Sequence, residues 1–162
     1  MEDADLLWIE EPVQSEDVIG YQTFARSVPV AVAGGEALAG VGAFRDFLTA
    51  GTFSILQPDL SICGGCTTLR QIAALGKALE LPVMPHVFGT AAATLGPRRG
   101  GGPAVYPYVE FDMMDTPLMA LNEPIPVSSD SMIEVPDLPG TGLELSPEKL
   151  EPWIVETWTE KL

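Results

Sequence analysis

The most constraining feature of this 162-residue sequence is a short apolar run that recurs five times, each time leading into an acidic residue or a histidine. The polar residues that end these runs are Glu10, Glu36, Asp59, His86 and Glu110. They are separated by 26, 23, 27 and 24 residues, about the length of one strand–helix unit. Because alternating strands and helices form parallel sheets, we predict that these side chains lie at one edge of a sheet, as on the catalytic rim of a β/α barrel.

Amphipathic segments between the apolar runs complete the alternating pattern. The segments with apolar residues at helical spacing are 17–27, 41–50, 67–80 and, more weakly, 89–96. The apolar runs are continuous, which is typical of parallel strands buried on both faces. A short strand is predicted over 132–135, and a short helix is predicted from Pro147 with Ser146 as its N-cap. The predicted class is therefore α/β, a parallel sheet with flanking helices.

The number of strands leaves two architectures open. A closed barrel takes about eight strands, whereas this sequence supplies five apolar runs and a proline-rich tail. Either the chain forms a smaller open sheet, or it is the later part of a barrel whose first strands are absent. An open five-stranded sheet would leave two apolar edges, which promote association.

Composition narrows the class of partners. Eight basic residues against 23 acidic ones leave a formal charge of −15, which repels nucleic acid and anionic lipid, so neither is expected as a partner. The acidic excess indicates either solubility or adaptation to high salt. Because no apolar stretch approaches ~20 residues and the acidic N-terminus lacks a signal-peptide pattern, we expect a cytoplasmic protein without a membrane span.

Two local motifs admit other functions. The run Cys63-Gly64-Gly65-Cys66 has the spacing of a redox or zinc motif, but a zinc site would require a second pair of ligands. We prefer a tight turn between a strand and a helix. Arg98 and Arg99 lie in a glycine-rich loop that could meet a phosphate, although no phosphate-loop motif surrounds them.

The first two polar residues predict a metal site. Glu10 and Glu36 end neighbouring strands, which lie about 4.8 Å apart, so their charges repel unless a cation lies between them. Oxygen ligands of this kind suit Mg²⁺. Glu11 competes with Glu10, because side chains alternate between the two faces of a strand. The alternative is that either glutamate caps a helix or pairs with a basic residue.

The next polar residues predict acid–base chemistry. A carboxylate at Asp59 beside the imidazole of His86 would fix its tautomer and support its protonated form, making His86 a competent general base. His86 is the only histidine in the chain. Glu110 could donate or accept a proton opposite His86. Its alternative role is an ion pair with an arginine of the loop at 98–99.

The ordered set of motifs resembles the enolase superfamily, and within it the mandelate racemase subgroup of the mandelate racemase/muconate lactonizing enzyme family. The motifs are Trp8-Ile9-Glu10-Glu11-Pro12, Gly35-Glu36, Gln57-Pro58-Asp59, Gly64-Gly65, Pro85-His86, Val109-Glu110-Phe111-Asp112 and the run at 136–142. The resemblance implies a partial (β/α)7β TIM-like barrel with only its later strands. Residues 1–143 would form this part and 144–162 a C-terminal tail and helix, with the N-terminal capping domain and first strands absent.

The resemblance also implies a role for each polar residue. Glu10 and Glu36 would be Mg²⁺ ligands, and Asp59 and His86 the dyad in which His86 moves the proton. Glu110 would hydrogen-bond the substrate carboxylate as it becomes an enediolate. The implied reaction is abstraction of the proton α to the carboxylate of a small substrate, and a sugar acid is the preferred class. A homo-oligomer is also expected.

The resemblance leaves the outcome of that first step open. We prefer dehydration of a sugar acid; a racemase, an epimerase or a lactone cycloisomerase is the alternative within the family. The family's third metal ligand, an aspartate, and its lysine-bearing strand have no counterpart in this sequence, so we expect the chain alone to be inactive. The alternative from another class is a non-catalytic remnant or assembly module.

Overall fold

The computed structural model describes residues 4–87, 108–111, 127–133 and 147–160. Three parallel strands form one sheet in the order β1-β2-β3. The strands are β1 (Trp8–Glu10), β2 (Ala31–Gly34) and β3 (Ile55–Leu56). The helices are α1 (Val18–Ser27), α2 (Gly40–Ala50), α3 (Leu60–Cys63), α4 (Gly65–Ala78) and α5 (Pro147–Leu150), which continues as a 3-10 turn over Glu151–Trp153. None of these helices is both long and apolar enough to cross a membrane.

The predicted α/β class and the alternation of strand and helix are confirmed. α1, α2 and α4 each begin and end within two residues of the prediction, and Asp17 is the N-cap of α1, accepting a hydrogen bond from the Gly20 amide at 2.8 Å. The fourth apolar run is shorter than predicted and forms one parallel bridge, between Leu56 and Val83. The next bonds of this ladder would need an N–H at position 82 on one side and at position 58 on the other, and both residues are prolines. The described residues of the fifth run, 108–111, contain no strand.

The motif at 63–66 corrects one prediction. It does not join a strand to a helix, because a four-residue helix, α3, precedes it and ends at Cys63. Gly64 has φ +112, a left-handed conformation that ends α3 and begins α4. One helical turn is too short to appear in the apolar periodicity. Both cysteines are free, Cys63 buried and Cys66 exposed.

Several predictions lie wholly or partly outside the described residues. These are the helix over 89–96, the arginine loop at 98–99, the N-cap Ser146 and part of the strand over 132–135. Within the described part, Ile133 forms an antiparallel bridge with Val127. Pro147 begins α5, as predicted.

Apolar layers cover both faces of the sheet. The larger layer packs the sheet against the helices and includes Tyr21, Phe44 and Phe53, with the Tyr21 and Phe53 rings edge-to-face at 5.0 Å. On the other face Ala33, Ile55 and Met84 form a smaller cluster with partly buried neighbours. Burial on both faces explains why the strands read as continuous apolar runs.

Gly35 shapes the turn that carries Glu36 past the end of β2. Its φ is +114, and a Cβ there would lie 2.7 Å from Cε1 of the buried Phe44 ring. We expect Gly35→Ala to lower the free energy of unfolding by about 2–4 kcal/mol, through backbone strain and overpacking. Urea unfolding followed by tryptophan fluorescence measures this. Gly42→Ala, in α2 with open space around the added methyl, should instead stabilise by about 0.5–1 kcal/mol; equal losses in both variants would contradict the expectation.

Candidate active site

The predicted polar residues follow the carboxyl ends of the parallel strands. Glu10 is the last residue of β1, and Glu36 lies two residues beyond β2. Asp59 lies three residues beyond β3 and is the N-cap of α3. His86 follows the bridge residue Val83. Because the strands are parallel, these side chains share one edge of the sheet.

His86 is the centre of the described site. Its Nδ1 lies 2.9 Å from Oδ2 of Asp59. Its Nε2 lies 3.4 Å from Oε2 of Glu36 and 4.0 Å from Oε2 of Glu110. The Val87 amide donates to the same Glu110 oxygen at 3.0 Å and so holds that carboxylate near the imidazole. Three of the other four predicted residues, Asp59, Glu36 and Glu110, therefore lie next to the His86 ring. The described contacts include none between this ring and Glu10.

Asp59 controls the proton on His86. Burial alone would raise the pKa of Asp59, but hydrogen bonds from Ser61 and His86 outweigh it and hold the pKa below its usual value. The ionised carboxylate can only accept, so Nδ1 of His86 carries the proton and Nε2 is the basic nitrogen. For His86, burial by itself would lower the pKa, because it disfavours the charged imidazolium. The hydrogen bond to Asp59 and the negative charges of Glu110 and Glu36 outweigh burial and raise the pKa above its usual value.

Glu10 is held from both sides. Nε1 of Trp8 and Nε2 of Gln57 both donate to its Oε2, at 3.2 and 2.7 Å. The adjacent Glu11 is held differently, since its carboxylate accepts from the Gly35 amide at 3.3 Å and the Ser15 hydroxyl at 2.6 Å. Both oxygens of Glu11 are thus engaged with neighbouring turns, which leaves Glu10 as the better candidate ligand.

The carboxylates at this edge suit a hard cation. Burial raises the pKa of Glu36, and the negative charges of Glu11 and Glu10 raise it further against the opposing effect of His86. A divalent cation between Glu10 and Glu36 would relieve that repulsion, and carboxylate oxygens are what Mg²⁺ prefers. The donor set therefore fits Mg²⁺ but is incomplete. Within the described residues no group of three or more histidine, cysteine, aspartate or glutamate side chains is placed to hold a metal.

Sequence reasoning does not single out two polar residues of the site. Ser61 donates through both its amide and its hydroxyl to Oδ1 of Asp59. Gln57 is buried and reaches Glu10. The signal for Gln57 is its place at the end of an apolar run, two positions after Ile55 and so on the same face of the strand. Ser61 carries no comparable signal, because it lies on a helix too short to predict.

Comparison with known proteins identifies the family. Residues 1–149 match the family described as enolase C-terminal domain-like. This chain belongs to the enolase superfamily. The resemblance to that superfamily is confirmed, and with it the fold: the chain is the later, C-terminal part of a TIM-like barrel.

Individual relatives are similar over most of this chain. D-galactarolactone cycloisomerase from Agrobacterium fabrum is 35% identical over 156 residues, which cover 88% of this chain and 40% of the relative. The 3,6-anhydro-D-galactonate cycloisomerase from Zobellia galactanivorans has a TM-score of 0.83 at 27% identity, over 96% of this chain and 44% of that one. L-talarate dehydratase from Polaromonas sp. JS666, complexed with Mg and L-glucarate, has a TM-score of 0.74 at 31% identity, over 93% and 40%. The chain thus spans about two fifths of the length of these relatives.

Proposed function

We propose that this chain carries the general base and two metal ligands for Mg²⁺-dependent abstraction of the proton α to the carboxylate of a sugar acid. The observation that carries the proposal is the imidazole of His86, with Nδ1 bonded to Asp59 and Nε2 next to Glu36 and Glu110. The names of the relatives support a sugar acid as substrate, since they include galactarolactone and an anhydrogalactonate.

The described residues divide the chemistry between them. A Mg²⁺ ion held by Glu10 and Glu36 would supply the positive charge that stabilises negative charge developing on the substrate carboxylate. Nε2 of His86 accepts the α proton, and Asp59 stabilises the resulting imidazolium. In its protonated form, Glu110 would donate a hydrogen bond to the substrate carboxylate, and the Val87 amide, which donates to Oε2 of Glu110, holds this side chain beside His86.

Two reactions can follow that step. Dehydration expels a β-hydroxyl, as the similarity to the talarate dehydratase suggests. Lactone cycloisomerisation is the second candidate, favoured by the 35% identity with the galactarolactone enzyme. Both begin with loss of the α proton, so the same residues serve either reaction.

A polypeptide in which this chain replaces the matched portion of the Agrobacterium relative tests the proposal; we call it the joined enzyme. It should exchange the α proton of galactarate or glucarate for deuterium in D₂O, measured by ¹H NMR, and EDTA should stop the exchange. Cooperative unfolding would show that the joined enzyme is folded. A folded joined enzyme with no exchange, or with exchange that EDTA leaves unchanged, would favour the non-catalytic alternative.

The chain alone should behave differently. The two proposed ligands, Glu10 and Glu36, supply only part of the about six oxygen ligands that Mg²⁺ takes, and the described residues contain no group of three or more side chains placed to hold a metal. We expect residues 1–162 to bind the metal weakly and to show no measurable α-proton exchange under the conditions in which the joined enzyme is active. Exchange at the same rate by the chain alone would contradict this expectation.

A further inference from the structure

Gln57 is a buried polar residue that connects two strands that are not neighbours. It is only 4% exposed, and its Nε2 donates to Oε2 of Glu10 at 2.7 Å, although β2 lies between β1 and β3. Its backbone amide donates to the carbonyl of Gly34 at 2.9 Å and so anchors it to β2. The two outer strands lie about 9.6 Å apart, twice the spacing of neighbouring strands. Only two long side chains can meet across that gap.

The β2 residue next to Glu10 is small. Glu10 pairs with Ala33 on β2, and Ala33 pairs with Ile55 on β3. On this face the β2 side chain beside Glu10 is therefore the fully buried methyl group of Ala33, and Gln57 lies just beyond the last paired residue of β3. We expect a larger residue at position 33 to crowd the Glu10 side chain beside it.

The hydrogen bonds to Glu10 engage only one of its two oxygens. Both described donors, from Trp8 and Gln57, bind Oε2, and no described residue donates to Oε1. Oε2 is thus fixed within the protein, whereas Oε1, with no donor among the described residues, could bind a cation. Residues that orient a metal ligand in this way commonly affect metal affinity strongly.

The side-chain amide of Gln57 also lowers the stability of the fold. Its Oε1 is buried and has no hydrogen-bond partner among the described residues. A buried acceptor without a partner destabilises the fold, so an apolar side chain of equal size would be better for stability alone.

We propose that Gln57 is a positioning residue that holds Glu10 for cation binding. The inference rests on the proposed function and adds to it a residue outside the predicted ligands. Its effect should appear in metal affinity rather than in folding stability, because replacing the amide removes an unpaired buried acceptor.

The test compares Gln57→Met with the wild-type chain by titration with Mn²⁺, monitored by the EPR signal of the free ion. Methionine keeps the size of the side chain and removes the donor, so we expect Mn²⁺ binding to weaken about 10-fold with no loss of unfolding free energy. The matched control is Gln22→Met, which removes an amide that donates to the Ala50 carbonyl at 2.6 Å outside the site; its affinity should equal that of the wild type.

A second variant perturbs the contact between Gln57 and Glu10 without changing either residue. Ala33→Val keeps Gln57 but enlarges the side chain paired with Glu10, and it should also weaken Mn²⁺ binding. If the wild-type chain binds Mn²⁺ and Gln57→Met binds it equally well, the positioning role is wrong while the metal site stands. Equal weakening in Gln57→Met and Gln22→Met would also overturn it. A wild-type chain that binds no Mn²⁺ would overturn both the metal site and this inference.

Discussion

Replacing His86 by asparagine is expected to slow α-proton exchange in the joined enzyme by about 10²- to 10⁴-fold, the contribution typical of a positioned general base. The imidazole is the only described group whose basic nitrogen lies beside both Glu36 and Glu110, at 3.4 and 4.0 Å. Asparagine is similar in size but has no basic nitrogen. The exchange rate of glucarate in D₂O measures the loss.

The control for this variant is its own metal affinity. Because His86 is not a proposed metal ligand, His86→Asn should bind Mn²⁺ within about threefold of the unchanged protein, a change of less than 1 kcal/mol. Loss of exchange with unchanged affinity separates the base from the metal site. Exchange that persists at the original rate would show that another group removes the proton.

Replacing Asp59 by asparagine is expected to reduce the exchange rate by a similar factor of about 10²–10⁴, through the tautomer of His86. An asparagine at position 59 can still cap α3, since its carbonyl oxygen can accept from Ser61 as Oδ1 does now. Its amide, however, would donate where Oδ2 now accepts from Nδ1 of His86. The ring proton would then move to Nε2, the nitrogen proposed to act as base.

The same variant changes the titration of His86. In the metal-free chain the pKa of His86 lies above its usual value of about 6.5, because Asp59, Glu110 and Glu36 outweigh the effect of burial. The attraction between the protonated imidazole and these carboxylates therefore makes its full contribution to folding stability at a pH below about 6.5. This contribution is lost as the pH rises through the pKa that His86 has in the folded protein. Asp59→Asn should lower the pKa of His86.

One NMR titration measures this shift without ambiguity, because His86 is the only histidine. The matched control is Asp46→Asn, which removes an exposed carboxylate that pairs with Arg45 on α2. That variant should leave the titration of His86 unchanged. A pKa of His86 that stays the same in Asp59→Asn would show that Asp59 does not govern the imidazole.

The sequence predicts which residues share the sheet edge, because the alternation of strands and helices fixes the side on which parallel strands end. It could not predict which of the side chains touch. The contact of His86 with Glu36 depends on the path of the chain beyond each strand, and the turn at Gly35 that sets this path is fixed by its φ of +114 and by the Phe44 ring. The choice between Glu10 and Glu11 likewise needed the hydrogen bonds that hold Glu11.

The extent of the strands and the shortest helix could not be read from periodicity either. The run before His86 is as apolar as the others, but prolines limit its pairing to one bridge. α3 has four residues and depends on its cap, Asp59, more than on any apolar stripe. The role of Gln57 could not be predicted for a different reason, because its partner Glu10 lies on a strand that does not pair with β3.

The most direct test of the central claim is the effect of Mn²⁺ on the imidazole signals of His86 in the metal-free 162-residue chain. If Glu10 and Glu36 bind a cation next to the base, small amounts of Mn²⁺ should broaden these signals, and excess Mg²⁺ should restore them. The double variant Glu10→Gln/Glu36→Gln should show no broadening. Signals that stay sharp in the unchanged chain, or that broaden equally in the double variant, would contradict a shared metal and proton-transfer site.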